Sequence, residues 1–197
     1  MIAFIEGPLS HIEPTFVIIN INGVGYQIKI SLHTYSKIKD LEKVKLQTHL
    51  QVKEDSHTLY GFFDIREKNL FIHLISISGV GPSTGIMITS SLSVDEITSA
   101  IVNGDVNTIQ RIKGIGLKTA QRIIIELKDK LNKDGSGIES FNILSGANNT
   151  IRNEALTALI TLGISKNIAE KSVESILKTN PNAITLEELI KQALKRA

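Results

Sequence analysis

A glycine turn used twice constrains this chain more than any other feature. Gly79-Val80-Gly81 and Gly114-Ile115-Gly116 stand 114 − 79 = 35 residues apart, and their flanks match in register: Leu74 falls on Ile109, Ile77 on Ile112, Thr84 on Thr119. Self-similarity at such a period marks one supersecondary unit built twice and stacked, because a single copy cannot bury its own apolar face. The unit here reads as helix, glycine turn, helix, with the last helix of the second copy starting at about Leu117. Two glycines around one apolar residue permit backbone angles that a side chain disfavours, and they let another molecule come close. The helix that follows opens with amides lacking an intrahelical partner, at the positive end of its dipole. Such a place suits a phosphate.

The side chains agree. Arg111, Lys113, Lys118 and Arg122 bring four basic groups and no acid to the second copy. Over Arg111 to Lys133 seven basic residues face two acidic ones, although the whole chain carries a formal charge of only +2. Concentrated charge of this kind is an electrostatic footprint for nucleic acid. Both copies therefore read as helix-hairpin-helix motifs, which grip the nucleic-acid backbone without reading bases. Candidate phosphate contacts are Gly79, Val80, Gly81, Ser83 and Thr84 in the first copy, and Gly114, Ile115, Gly116, Lys118, Thr119 and Arg122 in the second. The alternative is that each Gly-x-Gly merely joins two core helices; two copies in register, one strongly basic, weigh against it.

The rest of the chain divides around this repeat. Residues 1–63 read as short strands: Phe16 to Ile30 forms two β-rich runs around Asn22-Gly23, a strong hairpin signal. Leu46, Thr48, Leu50 and Val52 alternate with polar neighbours as a half-buried strand does. Five or six such strands predict a small closed barrel, most simply an OB-fold. From Asp64 the period turns helical, with Leu70, Phe71, Leu74 and Ile77 on one face. Pro82 suits a first helical position, Ser93 with Glu96 forms a capping box, and Asp105 or Asn107 caps the short helix before Gly114. Residues 135–149, rich in Gly, Ser and Asn, read as a flexible linker. Beyond it Thr150, Ser165 and Thr185 cap three helices, a small bundle over 150–197. The fold class is thus α+β in three domains, at 1–63, 64–134 and 150–197.

Several chemistries are excluded. The chain has no cysteine, so disulfides and thiolate metal sites are absent. Its five histidines (11, 33, 49, 57 and 73) show no ligand spacing, and no Gly-x-x-x-x-Gly-Lys-Ser/Thr loop is present. No cofactor is expected. No apolar run approaches the roughly 18 residues of a membrane span, and the start lacks the basic segment of a signal peptide. The cytoplasm is the expected compartment.

In order and spacing, several motifs resemble the RuvA family along essentially the whole length. They are Met1-Ile2 with Gly7, Gly23-Val24-Gly25-Tyr26, Glu54-Asp55 before Leu59-Tyr60-Gly61-Phe62, Gly79-Val80-Gly81-Pro82, and Gly114-Ile115-Gly116 with Lys118-Thr119-Ala120. The resemblance implies a flat homotetramer, one or two per junction, that holds a four-way DNA junction open and planar. It implies a third domain that engages the RuvB ATPase, and a RuvC resolvase as a further partner. It turns Glu54 and Asp55, otherwise ordinary turn acids, into an acidic pin at the crossover, with Lys53 and Lys29 as flanking phosphate contacts. Leu162 and Ile164, at the corner between two helices of the last domain, are the candidate motor contacts. One departure stands out: Ser83 replaces the basic residue that family members often carry after the proline. Ile72 to Leu92 has no charged side chain, so the first hairpin must hold phosphate by amides and hydroxyls, helped by Arg66 or Lys68. Leu117 likewise stands where a second lysine is common. Two rival readings are a generic DNA-binding adaptor without junction preference and a helix-hairpin-helix repair enzyme. The segment after Lys118 offers neither a pocket nor a carboxylate cluster for the second.

Overall fold

The computed structural model describes residues 2–133, 147–179 and 185–196. They fall into two compact units, 1–135 and 136–197. In the first, five strands close a barrel in the order β1-β2-β3-β5-β4: β1 Phe4–Glu13, β2 Phe16–Ile21, β3 Val24–Ile30, β4 Lys43–Val52 and β5 His57–Phe62. The β2–β3 turn is the expected Asn22-Gly23, both at positive φ. Period-2 side chains send Val17, Ile19, Ile28, Ile30, Val44 and Leu46 into the barrel core, where each buried aliphatic side chain contributes about 1.5–3 kcal/mol. Of the residues expected on the same buried face of β4, Leu50 is half-buried and Val52 is exposed, as that strand runs to its tip.

A helix that the sequence did not announce, α1 Leu32–Ile38, bridges β3 and β4. Seven residues are too few for a helical period to stand out. The readable signal was its cap, Ser31, whose Oγ accepts from Thr34 N–H.

The helical repeat follows without leaving the barrel. Its elements are α2 Ile65–Ile75, α3 Pro82–Ser91, α4 Val94–Asn103, α5 Val106–Gln110 and α6 Leu117–Lys133. Asp64 caps α2, Pro82 opens α3, and Ser93 with Glu96 makes both halves of the capping box on α4. Asp105, of the two residues considered, caps α5. Ile123 and Leu127 of α6 are buried as expected; the side chain of Leu131, expected beside them, lies outside the described set. Two of the contacts that join barrel and helices are buried. Phe71 of α2 packs against Phe62 and Tyr60 of β5, at ring separations of 4.9 and 5.2 Å. Beside it the carboxylate of Glu67 is buried against α1, where Ser31 Oγ donates to one oxygen and Thr34 Oγ1 donates to the other at 2.8 Å. Thr34 Oγ1 accepts from Phe63 N–H in turn.

Burial pushes the Glu67 carboxyl above its ordinary 4.5, while the two hydroxyl bonds and the nearby His33 and Lys37 work in the opposite direction. Glu67→Leu would leave two hydroxyls with no acceptor, at about 1–3 kcal/mol each, and is expected to lower the melting temperature clearly. Glu67→Gln keeps the shape and loses less. A folded-state pKa above the unfolded one makes this group's contribution complete below the unfolded value and smaller as pH rises through the folded one. Urea melts of wild type and Glu67→Gln should therefore converge as pH rises from 4.5 toward neutrality. A gap that stays constant with pH would contradict the shifted carboxyl.

The second unit contains α7 Ala147–Thr161, α8 Lys166–Thr179 and α9 Leu186–Arg196. Ala155, Leu159, Ala169, Val173, Ile176, Leu189 and Ala193 form its fully buried core. The helix expected to start after Thr150 begins at Ala147. Thr150 therefore lies inside α7 and does not cap it, and Ala147–Asn149 are helix where a linker was expected. Alanine favours the helix strongly enough to extend it backwards, and asparagine is tolerated near a helix start. The remainder of the expected linker, 135–146, lies outside the described residues. Thr185 Oγ1 accepts from Glu188 N–H at 3.3 Å at the start of α9. No single helix among the described residues is long and apolar enough to cross a membrane.

Candidate nucleic-acid interface

The two glycine turns repeat bond for bond. In the first, the N–H groups of Ser76, Ile77, Val80 and Gly85 donate to the carbonyls of Ile72, Leu74, Ile77 and Gly81, at 3.2, 3.1, 3.0 and 2.9 Å. Thirty-five residues on, those of Arg111, Ile112, Ile115 and Ala120 donate to Asn107, Ile109, Ile112 and Gly116, at 3.1, 3.2, 3.1 and 2.9 Å. Gly79 and Gly114 take φ of +91° and +86°, which glycine adopts without the cost an L side chain meets. Gly81 and Gly116 do not, and a Cβ built on either meets nothing within 4 Å. The first glycine of each pair makes the turn; the second keeps its surface bare.

This geometry sorts the expected contacts. Val80 and Ile115 are buried, and their N–H groups are used inside the turn, so they anchor the loop and do not face a ligand. The amides open to an anion begin at the second glycine. In α3, Gly81 is the N-cap with no side-chain cap, Pro82 has no N–H, and Ser83 and Thr84 precede the first helical bond, which Gly85 makes. In α6, Leu117, Lys118 and Thr119 precede the first helical bond, made by Ala120. Amides so placed, at a positive dipole end, form an anion cradle. Ser83 and Lys118 are exposed beside their cradles, and Thr84 and Thr119 are half-buried there.

Arg122 is tied more closely than sequence could tell. Its Nη1 donates to the carbonyl of Ser78 in the other hairpin at 3.1 Å, and its Nε meets Glu126 Oε1 at 3.2 Å. The helpers considered for the first hairpin are occupied elsewhere: Arg66 pairs with Asp95 on α4, and Lys68 Nζ reaches the carbonyl of Ala3 at 3.5 Å.

Glu54 and Asp55 sit at the exposed tip of the β4–β5 hairpin, a turn closed by Lys53 N–H donating to the Ser56 carbonyl at 2.9 Å. Val52 pairs with His57 just below. Both acids and Lys53 are exposed at the end of that ladder. Lys29, on β3, lines a groove of about 310 Å³ between barrel and α3, together with Tyr60 and Ser83. The structure thus brings a barrel lysine and the uncharged first hairpin to one groove, a pairing that spacing could not reveal.

Three family models match in order: RuvA N terminal domain over residues 1–61, SAM-like Helix-hairpin-helix tandem over 71–129, and RuvA, C-terminal domain over 150–197. A protein of Cytophaga hutchinsonii is 57% identical over 197 residues, with 99% of each chain covered. The chain belongs to the RuvA family. Similar proteins occur in Christiangramia forsetii, 53% identical over the full length of both chains, and in Flavobacterium psychrophilum, 50% identical over 99% of each. All three relatives are called Holliday junction branch migration complex subunit RuvA. Of the two expected motor contacts in the C-terminal domain of this RuvA chain, Leu162 is 61% exposed, just past the end of α7. Ile164 packs against the bundle core instead, drawn inward by its N–H bond to Leu159 across the Gly163 turn.

Proposed function

We propose that this chain recognises four-way DNA junctions without regard to sequence, holds them open as a homotetramer of one or two layers, and couples them to a RuvB ATPase for branch migration. The observation that carries this reading is the pair of matched amide cradles on one compact unit with a carboxylate-tipped hairpin. Two cradles at fixed spacing suit two phosphates of one backbone groove, and backbone amides read phosphate in any sequence. The relatives' name, which places them in a Holliday junction branch migration complex, supports the same partner class.

In this reading 1–63 and 64–134 are the barrel and hairpin domains, 135–146 is the linker, and the motor-binding domain begins with α7 at Ala147. Glu54 and Asp55 from four subunits meet at the centre, where their charge repels phosphates and favours separated strands at the crossover. Lys53 and Lys29 hold the flanking backbone, and Gly79, Gly81, Ser83 and Thr84 act with Gly114, Gly116, Lys118, Thr119 and Arg122 on the arms. Leu162 meets the motor. The chain performs no chemistry of its own; it is an accessory subunit, at work in the cytoplasm beside a RuvC resolvase during recombination and repair.

The test is electrophoretic competition between four-way and linear duplex DNA, repeated across salt concentrations. If each of four subunits neutralises two or three phosphates, the slope of log affinity against log salt is roughly −7 to −11. A slope near −2, or equal affinity for linear duplex, would favour the generic adaptor.

A further inference from the structure

The hairpins touch each other through one position used twice. Arg122 of α6 reaches Ser78 in the first loop, and Met87 of α3 faces the second loop, its Sδ 4.0 Å from where a Cβ of Gly114 would stand. These residues are equivalent, since 87 + 35 = 122. The repeat is thus packed about a local two-fold relation, in which residue i of each copy meets the loop of the other, as in a symmetric dimer interface. The residues filling it are unlike. Where the second copy carries Arg111, Lys113 and Lys118, the first has Ser76, Ser78 and Ser83 at the same offset of 35. The first loop carries no lysine or arginine of its own, and a guanidinium from the second copy is bonded to its backbone.

We infer that Arg122 is the cation of the first hairpin, borrowed across the pseudo-two-fold, and that it positions that loop while supplying the charge Ser83 does not. Its Nη1 engages one residue before Gly79, and the Nε bond to Glu126 fixes the guanidinium there. The remaining N–H groups of the planar fork are free to meet a phosphate seated on Gly81. Its side chain is 52% exposed, so a phosphate can reach it. The inference rests on the hairpins being phosphate sites, as proposed above.

The experiment measures four-way junction affinity by fluorescence anisotropy at one salt concentration, with Ser83→Lys introduced into wild type, Arg122→Met and Lys118→Met. Methionine is the residue the first copy already holds at the equivalent position. Arg122→Met is expected to weaken binding about tenfold or more, and Ser83→Lys to restore it to within threefold of wild type. The gain from Ser83→Lys should be at least fivefold larger in Arg122→Met than in Lys118→Met, a coupling that independent charges would not show. Equal gains in the two backgrounds, or a loss below twofold for Arg122→Met, overturn the inference. Arg122→Gln removes the charge but keeps a donor for the Ser78 carbonyl, and it replaces Arg122→Met if melting shows that the methionine variant has lost its fold; the same comparison of gains then decides. Should wild type bind linear duplex as tightly as the junction, the junction reading fails, while the comparison of gains on duplex still decides the role of Arg122.

Discussion

Ending the chain after Lys133 is expected to leave junction affinity within a few-fold of wild type and to abolish stimulation of the RuvB motor. The retained part contains everything the DNA reading uses: both cradles, the carboxylate tip, Lys29 and the Glu67 contact that holds barrel and helices together. It is compact in its own right, with a barrel core and a helical core joined through Phe71. The removed part has a separate, fully buried core in α7, α8 and α9, and it leaves Ile160, Leu162, Ile168 and Leu194 exposed. Exposed aliphatic side chains on so small a bundle suit a protein partner. Branch-migration assays with the motor, and binding assays without it, give the two halves of the result. Migration that persists after truncation would place the coupling surface on the first unit. Leu162→Asp in the full chain should reproduce the loss with DNA binding intact, whereas Ile164→Asp should instead unfold the bundle, because that side chain packs on its core.

Gly116→Ala should reduce junction binding about a hundredfold without changing the melting temperature. The methyl group meets nothing in the protein, so the folded state has no reason to object. It does stand where a phosphate must approach the amides of Leu117 to Thr119. Each charge-assisted amide–phosphate bond contributes about 1.5–3 kcal/mol, and 1.4 kcal/mol is tenfold in affinity. Lys118→Ala removes one exposed charge among several and should weaken binding only three- to tenfold. Gly114→Ala differs from both: at φ +86° the added side chain costs about 1–2 kcal/mol and lowers stability as well. If Gly116→Ala binds like wild type while Lys118→Ala does not, charge and not the amide cradle carries the interaction.

Much of this was legible before any coordinates. The Gly-x-Gly repeat, Pro82, the Ser93–Glu96 box and the Asn22-Gly23 turn are local signals, each satisfied by atoms within a few residues, and the corresponding elements stand where their spacing put them. What escaped is long-range. Nothing near Arg122 in sequence points to Ser78, 44 residues away, and nothing near Glu67 points to Ser31 and Thr34. A glutamate in the first turn of a helix reads as a dipole partner on the surface; that it is buried depends on a strand and helix more than 30 residues earlier. Ile164 belongs to the same class, since a glycine corner is exposed in general but the turn bonds here fold the next residue back onto the bundle core, where it is half-buried. Val80 and Ile115 stand between the glycines as a contact would in sequence, yet only their burial and their N–H bonds within the turn mark them as anchors.

The Glu67 contact bears on how such a chain could have been assembled from parts. A barrel and a helical tandem invite the idea of interchangeable modules, joined end to end and free to be shuffled. Here the boundary is spanned by one carboxylate that needs a hydroxyl at 31 and another at 34, both on the barrel side, oriented by amides of Thr34 and Phe63. A foreign barrel lacking that pair would leave the buried carboxyl without its partners, at about 1–3 kcal/mol for each polar group left unsatisfied. The two pieces are therefore matched to each other at this contact. A chimera made at Asp64 should fold only when its donor supplies both hydroxyls, so the seam that looks simplest to cut in sequence is the one that recombination between distant relatives tolerates least.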